Sequence, residues 1–199
     1  MADHPDTKFF EHGEFLRHQG LNWTSQFGED GYIEKALERI GIKNQWCFEV
    51  GAADGLYLSN TNRLRSWGWR AVLIESNNKH FDFLRSYESD KVHCFHETVG
   101  MRTLDAILSC TSAPRDLDLG VIDIDGQDYW VWDDMQTFKP RLLLIEFSPY
   151  GSPDDLPGIW KAGQAGINPI LALGKTKGYL PLVQTYCNVL FVREDQWSN

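Results

Sequence analysis

The sequence predicts a doubly wound α/β sheet, mostly parallel, that ends in an antiparallel hairpin, and three observations carry this expectation. Apolar runs rich in β-branched residues alternate five times with helix-compatible stretches, which is the pattern of strands joined by crossover helices. RLLLIEF (141–147) is almost continuously apolar, as parallel strands covered on both faces are. YLPLVQTY and NVLFVRE are separated by Cys187 and Asn188 at most, too short a connection for anything but a hairpin.

Composition sets the outer bounds. The chain has 199 residues, 42% hydrophobic and 24% charged, enough for one domain with a sizeable core. A formal net charge of −9 with no run of Lys and Arg argues against nucleic acid and against an anionic membrane surface. The first residues lack the apolar centre of a signal peptide, and no stretch approaches the roughly 20 apolar residues of a membrane span. The expected location is therefore cytoplasmic. Cys47, Cys94, Cys110 and Cys187 are scattered without a C-x-x-C pair, so reduced thiols are expected rather than a zinc cluster or disulfide framework.

Residues 1–23 are polar and without period and read as an arm or short cap, with His4, His12 and His18 solvated. Ile33, Ala36, Leu37 and Ile40 then fall at helical spacing, and Gly41 stops that helix. The first strand runs into CFEVGAADG (47–55), and a short helix begins at Asn60 or Thr61, buries Leu64 and Trp67, and ends at Gly68. RAVLIE (70–75) is the second strand, SNNKHFDFLRSY a helix with Phe81 and Leu84 inward, and VHCF (92–95) the third strand. A brief helix spans Leu104 to Leu108, and DLGVID forms the fourth strand. The helix after it starts near Gln127, and RLLLIEF follows as the fifth strand. Residues 148–167 hold three prolines and four glycines and read as a lid or binding loop. Asn168 and Pro169 suggest the cap and first turn of the last helix.

The loop after the first strand concentrates the chemistry. Gly51 and Gly55 bracket Ala52, Ala53 and Asp54, so a ligand could lie against bare backbone. G-x-G-x-x-G and a G-K-[ST] ending are both absent. Glu49 and Asp54 beside the glycines would repel polyphosphate, but they suit an amino group, a sulfonium or ribose hydroxyls. That chemistry points to S-adenosylmethionine (SAM). The plain structural alternative is a strand-to-helix turn with Asp54 as a local cap. Glu75 ends the next strand close to the roughly 20-residue interval at which an acid takes ribose hydroxyls. Acids recur at the strand ends: Glu49, Asp54, Glu75, Asp123, Asp125 and Glu146. Clustered like charges cost free energy unless a cation or a hydroxyl-rich ligand offsets them.

SQFGEDGYIEKAL, FEVGAADGLYLSNT, GWRAVLIE, LDAIL, IDIDGQDYWVW, LLLIEFSP and NVLFV are similar in wording and order to FkbM-like methyltransferases, within the class I SAM-dependent group. The resemblance spans roughly residues 24–193. It implies a seven-stranded sheet, a methyltransferase domain over 24–199, and methyl transfer to hydroxyl oxygens of small molecules or carbohydrates. Carried over by position, it implies that Glu49, Gly51, Ala53 and Gly55 line the methionine end of SAM, that Glu75 holds the ribose, and that Glu97 lies at the adenine. Gln26 and Asp30 would reach the cofactor from above, and Asp123 and Asp125 would lie beside the transferring methyl.

A hydroxyl acceptor benefits from a base, and Asp125 or Glu146 is the expected source, with Asp123 adjacent. Asp125 before Gly126 serves equally as a cap for the next helix. Asp123, Asp125 and Glu146 would also suit a divalent metal such as Mg²⁺, the less favoured reading. Tyr129, Trp130, Trp132, Tyr150 and Trp160 could wall an acceptor site, Tyr150 ahead of the tryptophans, although aromatics at this spacing also pack a helix onto a sheet. The short chain leaves a pocket that is open or is completed by a second copy in a homo-oligomer. Rival readings are a SAM-binding protein of this fold without turnover, a nicotinamide-dependent oxidoreductase, and a metal-dependent hydrolase, which lacks histidines at ligand spacing.

Overall fold

The computed structural model describes residues 3–158 and 163–197. Among them eight strands form one sheet: β1 (Lys8–Phe9), β2 (Trp46–Val50), β3 (Arg70–Glu75), β4 (Val92–His96), β5 (Leu119–Ile122), β6 (Leu142–Glu146), β7 (Tyr179–Gln184) and β8 (Asn188–Arg193). The helices are α1 (Glu29–Ile40), α2 (Asn62–Ser66), α3 (Asn78–Leu84), α4 (Leu104–Ser109), α5 (Asp128–Asp134) and α6 (Ile167–Thr176). Strand order is β1-β7-β8-β6-β5-β2-β3-β4. From β4 to β6 all pairings are parallel, and β8 inserts antiparallel between β6 and β7.

The sheet therefore has eight strands rather than seven. The addition comes from the N-terminal arm, where Lys8 and Phe9 pair antiparallel with Gln184 and Val183. A two-residue strand leaves no alternation to read, and tertiary contact creates it. Leu16 of the same arm is fully buried in the core. Gly13 lies so close to β7 that a Cβ there would sit 1.7 Å from the Leu182 carbonyl oxygen.

Alternation along each strand sends side chains to two cores. Val72 and Ile74 of β3, with Leu143 and Ile145 of β6, pack against α4, α5 and α6. Ala71, Leu73, Leu142 and Leu144 pack on the other face against α1, α2 and α3. Below the sheet, Asp118 and Arg141 form a buried ion pair at 2.6 Å. Asp118 also accepts the backbone N–H groups of Lys43, Asn44 and Gln45. Arg141 donates to the carbonyls of Ile40 and Gly41, closing the C-terminus of α1.

The last helix departs from expectation at its start. Gly166 is its N-cap residue, and Asn168, already inside the helix, donates its side-chain amide to Asp154 at 2.7 Å. Among the described residues no helix is long and apolar enough to cross a membrane. Strand order reverses between β2 and β5, and in sheets of this kind the ligand crevice opens beyond the strand ends at that point.

Candidate active site

The crevice is built by the chain leaving β2 and β5. Gly51 and Ala52 both donate to the Ile74 carbonyl, which turns the backbone sharply at the end of β2. Gly51 has a φ of 79°, and a Cβ there would fall 1.7 Å from the Asp123 carbonyl oxygen. Glycine is needed on both counts. Ala53 continues the turn at a φ of 46°, and its N–H donates to Glu75 Oε2 at 2.8 Å. Glu75 Oε1 accepts from Asn77 N at 2.6 Å.

Two contiguous lobes result. One, of about 450 Å³, is lined by Gly51, Ala53, Glu75, His80, Glu97, Asp123 and Asp125 among others. The other, of about 300 Å³, shares Gly51, Ala53, His80, Asp123 and Asp125 and adds Gln26, Glu29, Glu49, Asn60, Glu146 and Asn188. No Lys or Arg lines either lobe among the described residues.

Glu49 is buried and accepts from Ser59 Oγ at 2.7 Å, Asn60 N at 2.7 Å and Thr61 Oγ1 at 2.6 Å. Its carboxylate clamps the loop ahead of α2. Burial pushes its pKa up, and the hydrogen bond from Thr61 acts against that shift. Asp54 accepts from Leu56 N and Tyr57 N, the local cap that its sequence position also allowed. Neither Asp54 nor Gly55 lines a lobe. A Cβ on Gly55 would meet Leu84 and Tyr87 instead. Asp30 accepts from Trp23 N, Thr24 N and Ser25 N and shapes the turn before α1. Its neighbour Glu29 reaches the hairpin, accepting from Thr185 Oγ1 at 2.8 Å.

At the end of β5 the capping role passes to Asp128, which accepts from Ile124 N and Gly126 N. Burial raises its pKa to about 6. Asp125 is thereby left exposed on the cleft at a φ of 56°. Glu146 accepts from Asp125 N at 3.1 Å and from the Gln164 side chain, and it lines the same lobe as Asp123. Burial pushes the Asp123 and Glu146 carboxyls well above the usual range, with repulsion from Asp128 adding to the rise at Asp123 and repulsion from Asp123 to that at Glu146. Among the described residues no group of three or more His, Cys, Asp or Glu side chains converges as a metal ion needs. Asp123, Asp125 and Glu146 therefore do not form an oxygen cage.

Among the described residues none of Tyr129, Trp130, Trp132 and Tyr150 lines either lobe. Trp132 is fully buried in the core, and Trp130 donates its indole N–H to the Pro157 carbonyl. Tyr150 is 72% exposed and meets Tyr186 hydroxyl to hydroxyl at 3.1 Å, outside both lobes. Trp160 lies outside the described residues. Sequence reasoning gave no site role to His80, Asn60 or Asn188, which the fold brings to the cleft. Asn60 Oδ1 and Asn188 Oδ1 are both buried without a hydrogen-bond partner. Asn60 could have been noticed, since it stands in the SNT phrase that Glu49 clamps.

No protein-family model matches the chain, and no curated protein matches it in sequence. Solved structures do share its fold. A candidate O-methyltransferase from Klebsiella pneumoniae superposes with a TM-score of 0.50 at 10% identity, over 87% of this chain and 83% of that one. The methyltransferase domain of a bacterial protein, CtHen1-C, gives 0.50 at 8% identity over 82% and 95%. At such identities the likeness is one of fold: this sheet and its antiparallel hairpin have the Rossmann-like methyltransferase architecture.

Proposed function

We propose that the protein is a SAM-dependent methyltransferase acting on a hydroxyl oxygen of a small-molecule or carbohydrate acceptor. The observation that carries this reading is the chemistry of the cleft. Carboxylates and other acceptors run along its whole length, and no Lys or Arg lines it among the described residues. Such a lining opposes a pyrophosphate and suits ribose hydroxyls, an ammonium and a sulfonium. The residues fit the cofactor: Gly51 and Ala53 line both lobes with backbone and no long side chain, and the unpartnered Asn60 Oδ1 needs a donor.

In this reading Glu75 holds the ribose and Glu97 borders the adenine. Gly51 and Ala53 present backbone to the cofactor, while Gln26, Asn60 and Asp123 receive its amino acid end. When bound, SAM supplies an electrophilic methyl group on a positively charged sulfur. The chain itself must align the acceptor and exclude water. Glu146 is steadied by Asp125 N–H and Gln164. It takes the proton of the acceptor hydroxyl, with Asp123 sharing the charge.

We assign the chain to the FkbM-like group on the wording and order of its motifs. A cytoplasmic setting is supported by four free cysteines.

Calorimetry and thermal shift with S-adenosylhomocysteine and NAD test the cofactor. The expected result is binding of S-adenosylhomocysteine, weakened at least tenfold in Glu75→Ala, and no response to NAD. Stabilisation by NAD alone, or no heat with S-adenosylhomocysteine, would overturn it. Conversion of SAM in the presence of acceptor hydroxyls distinguishes an enzyme from a binder without turnover.

A further inference from the structure

We propose that Leu56, Tyr57 and Leu58 form an apolar lip that selects the acceptor, and that the acceptor is an uncharged hydroxyl compound with a flat or bulky apolar body. This rests on the methyltransferase reading and narrows it. Leu56 is 50% exposed, Tyr57 71% and Leu58 37%. Three consecutive apolar side chains facing water gain nothing from folding, whereas covering them is favourable by about 25 cal/mol per Å² of buried apolar surface.

The lip is held rigidly. On one side Asp54 Oδ1 accepts the N–H groups of Leu56 and Tyr57 at 2.9 and 2.8 Å. On the other, Glu49 clamps Ser59, Asn60 and Thr61. Leu58, between the two anchors, has a φ of 58°. For a residue other than glycine this left-handed conformation costs about 1–2 kcal/mol, and such outliers concentrate where a ligand is clamped. The two carboxylates nearest the glycine loop thus present apolar side chains at a fixed position.

Continuity with the reaction site decides what the lip meets. Tyr57 and Leu58 line the same lobe as Asp123, Asp125 and Glu146, so a molecule placing a hydroxyl at Glu146 can rest its body on them. A phosphorylated or carboxylated acceptor would meet carboxylates and no Lys or Arg among the described lining residues. Asn188 Oδ1, buried and unpartnered in that lobe, can accept a hydrogen bond from a hydroxyl.

The test uses full-length protein saturated with S-adenosylhomocysteine and 2-naphthol as probe, read by calorimetry. The expected result is that 2-naphthol binds, while glucose and 2-naphthyl phosphate bind at least tenfold more weakly. Tyr57→Ser should weaken 2-naphthol at least tenfold, Tyr57→Phe should restore it, and affinity for S-adenosylhomocysteine should stay within twofold in both. Absent binding of 2-naphthol, equal binding of its phosphate ester or of glucose, or no effect of Tyr57→Ser would overturn the lip alone. No heat from S-adenosylhomocysteine itself would overturn the cofactor reading and the lip with it.

Discussion

The carboxyl pair of Asp123 and Glu146 ties protonation to both stability and rate. Burial and then repulsion from a neighbouring carboxylate, Asp128 at Asp123 and Asp123 at Glu146, raise both groups in the folded state, so the fold binds protons that the unfolded chain would release. The stability this contributes is complete below the ordinary carboxylate range and is lost as pH rises through the raised values. Denaturant midpoints of the cofactor-free protein should therefore fall toward alkaline pH, and Glu146→Gln should reduce that fall. The rate should move the other way, because a fully protonated pair cannot accept a proton. The acid limb of kcat/KM should lie above the usual carboxylate range, and Glu146→Gln should lower the rate by about 10²–10⁴; an unchanged rate would remove Glu146 as the base. Asp128 gives a separable signal. Its raised value of about 6 against an ordinary 3.8 confines its stabilising contribution to low pH, lost as pH rises between those two values, and Asp128→Asn should abolish that step. Glu49 belongs to another class, since its oxygens are taken by Ser59, Asn60 and Thr61. Glu49→Gln should lower stability by about 1–3 kcal/mol and should weaken S-adenosylhomocysteine only through the loop. These roles were half legible in the sequence. That an acid stands beside each glycine is plain from the string, but whether its oxygens face a ligand or a neighbouring N–H depends on where residues several positions on are folded back.

Among the elements, the floor of the sheet is fixed by one polar knot. Asp118 and Arg141 pair at 2.6 Å out of water, with three backbone N–H groups on the acid and the end of α1 on the guanidinium. Removing one partner leaves the other charge buried, a loss of about 3–5 kcal/mol. Arg141→Met should lower the melting temperature sharply, and adding Asp118→Asn should recover part of the loss. Full additivity of the two would show that the groups act independently. The central strands were legible because their burial is dictated by their own composition: RAVLIE and RLLLIEF fit a sheet covered on both faces. Helix starts were less so. Asn168 and Pro169 resemble a cap and first turn, yet the Asn168 side chain bonds to Asp154 and the helix begins at Ile167. A capping residue is available only if no other segment claims its side chain, and sequence does not reveal the claim. Strand β1 was illegible for a related reason. Two residues have no period, and their pairing is dictated by the β7 edge.

At the scale of the molecule, that edge decides how the arm acts. Without β1, strand β7 would present unpaired backbone along Leu182 to Gln184, and open edges invite pairing between chains. The arm covers it by pairing Lys8 and Phe9, by donating Phe10 N–H to the Leu182 carbonyl, and by burying Leu16. It also supports the start of α1: Gly31 N–H donates to the Leu21 carbonyl, and the Tyr32 hydroxyl donates to Asp3 at 2.8 Å. Because Gln26 and Glu29 at that start line the smaller lobe, the edge cover and the cleft are one mechanical unit. A chain beginning at residue 17 should lose about 2–5 kcal/mol through Leu16 alone. It should associate with rising concentration in sedimentation velocity and bind S-adenosylhomocysteine more weakly. Leu16→Ala separates these effects, since it keeps the edge covered: it should destabilise without promoting association. If the shortened chain kept the association state and the melting temperature of the full chain, the arm would be a passive tail, and the coupling between edge and cleft would be wrong.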